Sequence, residues 1–290
     1  MAAPGQEQFN RVCIVQMGTV QVQGLRTQFK VTKNNDEAPN TAEITVWNLA
    51  EKTRAAILAF ANSAGNVPVI VQAGYGTPLG AQVIFAGDTL PYGLSITRNG
   101  PDWLMTFKAG DGLSSYRSDR ISLKAPPGMS AQALVQQIMG QFKGIHTKDA
   151  AAKIGAMLKG GVQTFAKGTV FTGGAMQELN RLLKSYNVRA TCQDGKLDVA
   201  PIGGYVAGAS VPSLSSATGL LGSPQPGKDH FIKFKCWLRP EIKVCRQVFV
   251  TAGSRPKTTI LTVHKIEHTG DTRGVPWYTE VEGEAWRKKA

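Results

Sequence analysis

The sequence is short of the features that most often announce a mechanism. No run approaches the eighteen or so apolar residues of a membrane-spanning helix, so no membrane insertion is expected. Only 4 cysteines occur in 290 residues, at Cys13, Cys192, Cys236 and Cys245. They form no CxxC pair, which argues against a disulfide or zinc framework and for synthesis in a reducing cytoplasm. The opening MAAPGQEQFNRV has no basic start followed by an apolar block, so no secretory signal is expected there. No Ser/His/Asp set, paired carboxylates or Cys/His cluster stands out. The chain is therefore read as no enzyme, with no catalytic, cofactor-binding or metal-binding residues and no cofactor.

What is abundant is turn-forming residues and positive charge. There are 32 glycines and 15 prolines, and 33 Lys and Arg against 20 Asp and Glu give a net charge of +13. The charge is uneven: residues 1–112 are neutral, 113–225 carry +7 and 226–290 carry +6. Such a surface fits a polyanionic neighbour, nucleic acid or an acidic protein face, or serves solubility alone. The basic residues are dispersed and form no run of five or six.

Periodicity organises the chain around LRTQFKVTKNNDEAPNTAEITVWNL, residues 25–49. Leu25, Thr27, Phe29 and Val31 fall on one face of a strand, and Ala42, Ile44 and Val46 on one face of the next. Asn34, Asn35, Pro39 and Asn40 supply the turn between them. Residues 50–60 read as a helix, followed by strand pairs at 67–73 with 82–86 and at 95–97 with 103–109, the last joined through Asn99-Gly100. This is a first β-domain, 1–112.

Beyond Gly112 the period changes. Helices are predicted from Ser130 as N-cap, over 148–159 and over 175–186, with a hairpin at 189–200 turning on Asp194-Gly195. This makes an α+β domain, 113–203. Residues 204–227 are rich in Gly, Ser and Pro and read as a connector. Alternation returns in 228–290, at 231–238, 244–250, 260–266 and 277–284, with the basic loop AGSRPK and a basic tail, Arg287-Lys288-Lys289. The predicted fold class is mainly β with an α+β insert.

Three near-motifs fail on context. His264-Lys-Ile-Glu267-His268 matches the HxxEH pattern of zinc peptidases, which requires a helix, but sits in the strand-like ILTVHKI. Gly222-Ser-Pro-Gln-Pro-Gly227-Lys228 resembles a phosphate loop, yet Asp229 replaces the required Ser or Thr and two prolines remove amide donors. Gly74-Tyr75-Gly76 joins two strands and is a turn. The unusual residues left are aromatic: Trp47, Trp103, Trp237, Trp277 and Tyr278. With Asn34, Asn35, Pro39 and Asn40 they are the candidate protein-interface residues, against the simpler expectation that each aromatic packs inside.

Read as a whole, the sequence resembles the baseplate hub proteins of phage tails (the phage late control or tail hub type). The blocks that carry the resemblance are FKVTKNNDEAPNTAEITVWNL, AGYG with IFAGDT, GPDWLMTFKAGDG, QELNRLLKSYNV with CQDGKLDV, TGLLGSP and HTGDTRGVPWYTEVEG. The resemblance implies two tail-tube-like antiparallel β-barrels flanking a helical α+β domain. It implies a homotrimer joining the six-fold tail tube to the three-fold spike. The partners implied are tail tube or distal tube-initiator subunits, the central spike protein, the tape-measure protein and phage DNA in transient passage. The implied location is the virion tail baseplate, with assembly in the host cytoplasm. The alternative is a tail-associated zinc peptidase or cell-wall hydrolase built on residues 264–268.

Overall fold

The computed structural model describes residues 10–36, 38–64, 66–158, 164, 167–206, 211–227, 230–252 and 257–285. Residues 253–256 of the basic loop, Lys228 and Asp229 of the phosphate-loop look-alike, and Arg287-Lys288-Lys289 lie outside the described residues, as does the segment 1–9.

In chain order the elements are β1 (Arg11–Met17), β2 (Val20–Gln23), β3 (Thr27–Asn34), β4 (Thr41–Trp47), α1 (Glu51–Ala64), β5 (Pro68–Tyr75), β6 (Ala81–Asn99), β7 (Asp102–Gly110), α2 (Leu113–Ser118) and β8 (Arg120–Ala125). Then follow α3 (Ala131–Met139), α4 (Lys148–Leu158), β9 (Thr169–Gly174), α5 (Ala175–Lys184), β10 (Val188–Gln193) and β11 (Lys196–Pro201). The last are β12 (Ser213–Leu214), β13 (Leu220–Pro226), β14 (Phe231–Trp237), β15 (Gln247–Ala252), β16 (Lys257–Asp271) and β17 (Trp277–Ala285). Two compact units result: residues 1–35, 40–110 and 207–290, and residues 36–39 and 111–206.

The first unit is built on one 13-stranded sheet in the order β13-β14-β17-β16-β3-β4-β7-β6-β5-β1-β2, with β15 joined to β16 and β12 to β15. The N-terminal and C-terminal strands, anticipated as two barrels, are thus hydrogen-bonded into a single sheet. The join is β16. Residues Lys257–Thr262 of β16 pair with β15, whereas Lys265–Asp271 pair with β3, and β17 runs along the opposite edge from Leu261 to Gly270. The alternation seen in the sequence sets the faces: Phe29, Val31, Ile44 and Val46 are all buried, with Val69, Val71, Phe85, Phe107 and Trp277 beside them in one core. Each such side chain contributes about 1.5–3 kcal/mol relative to exposure. Helix α1 adds Ile57 to the same core.

Two expectations for this unit are corrected. The Gly/Ser/Pro-rich stretch 204–227 contains β12 and the seven-residue β13, because an edge strand tolerates the prolines that a linker also favours. The returning strand expected over 82–86 is longer: β6 runs on through Gly87 and Asp88, and Asp88 pairs with both Pro68 of β5 and Gly110 of β7.

The second unit is α+β. Strands β8 and β9 form one two-stranded ribbon and β10 and β11 another, the latter turning on Asp194 and Gly195, both at positive φ as a two-residue hairpin turn requires. Leu134, Ile138, Ile154, Leu179 and Leu183 of the helices share its core. Ser130 caps α3 by accepting the Ala133 amide at 3.1 Å. Two buried polar residues pin the hairpin. Asn180 of α5 donates to the Ala190 carbonyl at 2.9 Å and accepts its amide at 2.8 Å. Asp111, fully buried, accepts the amides of Asp194 at 2.6 Å and Gly195 at 2.8 Å and the Cys192 thiol at 3.0 Å. The short α2 and the ribbon β8–β9 have no counterpart in the sequence reading.

Candidate functional site

The turn after β3 spends its polar groups on holding strands together. Asn40 is 2% exposed, and its Oδ1 accepts the Asn34 amide at 2.9 Å. The Asn35 amide donates to the His264 carbonyl at 3.1 Å, and Asn35 Nδ2 meets His264 Nδ1 at 3.0 Å. Asn34, Asn35 and Pro39 are half-buried. The turn is therefore fastened to β16 by Asn35 and closed on itself by Asn40.

The aromatic candidates separate by burial. Trp277 is a core residue with no exposed surface, set edge-on to Phe29 at 5.4 Å between ring centroids and to Tyr75 at 6.5 Å. It has nothing to offer another chain, which corrects its place among the interface candidates. Trp237 is half-buried over Gly219, which takes φ of 104° and where a Cβ would meet the indole at 3.1 Å. Trp47 is half-buried beneath the Arg26 guanidinium at 4.6 Å, and Tyr278 beneath Lys235 Nζ at 3.3 Å. Trp103, 39% exposed, lies between Arg54 at 5.0 Å and Arg98 at 5.6 Å. These cation–π pairs order the rings, each adding about 0.5–1 kcal/mol at such exposed positions.

The polar face of β3, β16, β17 and β14 carries a ladder of opposite charges. Lys30 meets Glu267 at 2.9 Å, Lys235 meets Glu280 at 3.1 Å and Lys233 meets Glu282 at 3.3 Å. Glu267 and Glu280 stand directly opposite each other in register, and their repulsion is offset by the lysines on either flank. Individually these pairs are worth up to about 1 kcal/mol. A groove of about 380 Å³ opens beside the ladder where β13 bulges away from β14 between Leu221 and Gln225.

The HxxEH look-alike lies wholly on β16. The β16–β17 register shifts between Val263 and Lys265, which makes His264 the extra residue of a β-bulge at the point where β16 passes from β15 to β3. Its ring sits edge-on to Phe231 at 4.9 Å. Glu267 is engaged by Lys30, and His268, 2% exposed, shares a 2.9 Å hydrogen bond with Thr279 Oγ1. Burial, with Lys33 and Lys243 nearby, holds the His268 imidazole well below the usual histidine range. Each of the three side chains has a different partner. Among the described residues no group of three His, Cys, Asp or Glu could hold a metal ion.

Features that the sequence reading passed over lie at the ends of the sheet. Asp271 closes β16: its carboxylate accepts Arg26 Nη2 at 2.9 Å, Gln28 Nε2 at 2.7 Å and the Arg273 amide at 2.9 Å. Burial pushes this carboxyl up, but the hydrogen bonds from Arg26, Gln28 and Arg273 prevail and hold it down at about 2. Leu79 and Val275, at two turns, are 97% and 90% exposed. Tyr92 is fully exposed and takes φ of 58°, while the adjacent Gly93 does not. A left-handed bulky residue costs of order 1–3 kcal/mol. A lone Pro-Tyr-Gly inside a strand-like run gives no signal of such a conformation, so only the backbone shows it.

These features meet in a fold shared with phage and secretion-system tail proteins. A tail protein from Neisseria meningitidis superposes with a TM-score of 0.61 at 9% identity, covering 94% of this chain and 96% of its own. The 43 kDa tail protein of prophage MuSo2 from Shewanella oneidensis gives 0.61 at 9% identity, over 95% and 97% of the two chains. An E. coli component of the type VI secretion system, itself described as similar to the T4 tail proteins gp27 and gp5, gives 0.59 at 8% identity over 94% and 77%. At these identities the likeness is one of fold. No curated protein sequence matches. The family model of the baseplate hub gp41 matches residues 11–283, and the chain belongs to that family.

Proposed function

We propose that the chain is a structural hub of a phage or phage-like tail. Three copies form a ring that joins the six-fold tail tube to the three-fold spike and leaves a bore for the tape measure and DNA. The observation that carries this reading is the division of the sheet at β16. One part runs from β2 to β3 and the other comprises β12 to β17, a division that supports reading the polypeptide as the source of two tube-like walls. Three copies then present six, which is the count an adapter between six-fold and three-fold partners needs. The second unit forms the α+β domain interposed between the two halves in sequence.

The partners in this reading are tube or tube-initiator subunits on one side and the central spike on the other. Location in the virion baseplate, after assembly in the host cytoplasm, follows from it. No enzymatic step is assigned: the peptidase look-alike is a bulged strand whose side chains are engaged elsewhere. Among the described residues no helix is long and apolar enough to cross a membrane. The test is stoichiometry: quantitative mass spectrometry of purified tails, or native mass of a co-expressed baseplate. Three copies per tail are expected, and any other number overturns the reading.

A further inference from the structure

The sheet has open edges, and they differ in kind. At one end β13 is blunted by Pro224 and Pro226, which lack amide donors. At the other end β2 carries no proline. A further edge opens within β6. Its first part, Ala81–Asp88, pairs with β5, but Leu94–Asn99 pairs with β7 alone, leaving the other edge without a strand among the described residues. Tyr92 stands at the start of that segment, fully exposed and left-handed. Gly93 locks the corner, because a Cβ there would meet the Lys108 carbonyl at 2.5 Å. Among the described residues none covers this ring.

A matching surface lies at the end of β2. A groove of about 290 Å³ is lined by Gln23, Gly24, Leu25, Arg11, Pro78 and Arg273, among others. Open space stands where Gly24 would carry a side chain, and Arg273 Nη2 donates to the Gly24 carbonyl at 3.2 Å. Leu79 follows Pro78 at its rim, and Arg11 reaches across to the Val275 carbonyl at 3.3 Å. Among the described residues the most exposed large apolar side chains are Tyr92, beside one open edge, and Leu79 and Val275, in turns that adjoin the groove-lining Pro78 and Arg11.

We propose that these two surfaces are the two halves of one contact between copies of this chain: Tyr92 and the Leu94–Asn99 edge of one protomer dock on β2 and the Gly24 groove of the next. The ring reading underlies this inference. The register follows from the apolar pattern. Leu94 and Ile96 face the core in β6, as Val20 and Val22 do in β2, and a shared sheet must keep them on one face. Antiparallel pairing sets Leu94 opposite Val22 and Ile96 opposite Val20. That same register brings Tyr92 opposite Gly24, where its ring fills the groove against the Arg273 guanidinium. Two different surfaces of one chain make a heterologous contact, the type that closes into a ring. A second copy is favoured over another partner because one chain carries both complementary halves.

The contact predicts an intermolecular disulfide. Ser95 and Gln21 are exposed and fall opposite each other in this register, and all 4 native cysteines are buried. The full chain bearing both Ser95→Cys and Gln21→Cys should give covalent oligomers on mild oxidation, and neither single variant should. Tyr92→Gly removes the peg and its backbone strain together. It should fold at least as stably as wild type by tryptophan fluorescence, yet self-associate about tenfold or more weakly by sedimentation, as loss of an interface anchor does. An assembled wild type with unchanged Tyr92→Gly self-association, or with no cross-link in the double variant, overturns this contact and leaves the ring reading standing. A wild type that stays monomeric at every accessible concentration overturns both.

Discussion

Replacing Asp271 by Asn should cost the first unit about 2–3 kcal/mol. The carboxylate, 2% exposed, holds β3 to the end of β16 through Arg26, Gln28 and the Arg273 amide, and its own carbonyl accepts Arg11 Nη1 at 2.8 Å. Its pKa falls from 3.8 to about 2 on folding. Nearly two units at about 1.4 kcal/mol each give roughly 2 kcal/mol of linked stability, trimmed because Arg26 is 40% exposed and screened by water. Asparagine keeps the shape but turns amide hydrogens toward the guanidinium, leaving a donor facing a donor. Because the folded pKa is depressed, the contribution is complete above about pH 4 and is lost as pH falls through about 2. All 5 tryptophans lie outside residues 111–206, so denaturant unfolding followed by their fluorescence reports this unit alone. A melting temperature lower by roughly 5–10 °C at pH 7 is expected for a unit of this size. The gap between wild type and variant should shrink between pH 5 and pH 2. A gap that stays constant across that range, or one under about 0.5 kcal/mol at pH 7, would refute the assignment.

Other substitutions probe single contacts. Gly270→Ala places a methyl 2.3 Å from the Phe29 ring and 2.8 Å from that of Trp277, so a loss of about 2–3 kcal/mol is expected in the same unfolding assay, and a neutral result would show that the aromatic pair can shift. His264→Ala should cost only about 1 kcal/mol and release no zinc, and stoichiometric zinc in wild type would restore the peptidase reading. His268 is held neutral by burial, with its pKa depressed, so its contribution is complete above about pH 6.5 and fades as pH falls below it. His268→Leu should flatten stability between pH 6.5 and pH 5, and an unchanged slope would place the titration elsewhere. Asp111→Asn should cost the second unit about 1–3 kcal/mol, read as faster amide exchange in β10 and β11, and protection equal to wild type would show the Asp194-Gly195 turn to be self-sufficient.

Local pattern in the sequence carried most of the strands and little of the site. The Thr27–Asn34 and Thr41–Trp47 pair was legible because one face is apolar and period two survives intact. The same alternation grouped Trp277 with Thr279 and Val281, but could not say that Phe29 and Tyr75 would enclose that face. Edge position disguised β13, since Gly, Ser and Pro mark both linkers and strands that lack a second neighbour. The polar nodes were hidden for another reason: Arg26 and Asp271 are 245 residues apart, and Asn35 and His264 are 229 apart. No spacing rule reaches across such distances. The same holds for Asp111, whose aspartate side chain is used up on amides 83 and 84 residues away, so counting it as surface charge understates how basic the second unit's exterior is.

The nodes fall on one strand. His264, Glu267, His268 and Asp271 all belong to β16, and each binds a residue from a neighbouring part of the sheet: Asn35, Lys30, Thr279 and Arg26. A strand whose only cross-links were ladder hydrogen bonds could slip by two residues and keep its faces. Four side-chain contacts at fixed offsets prevent that slip, and the bulge at His264 fixes where β15 ends and β3 begins. Under the hub reading this is the property that matters. Two tube-like walls drawn from one chain must hold a constant phase if six walls from three chains are to meet a six-fold tube, and β16 is the element through which that phase is set.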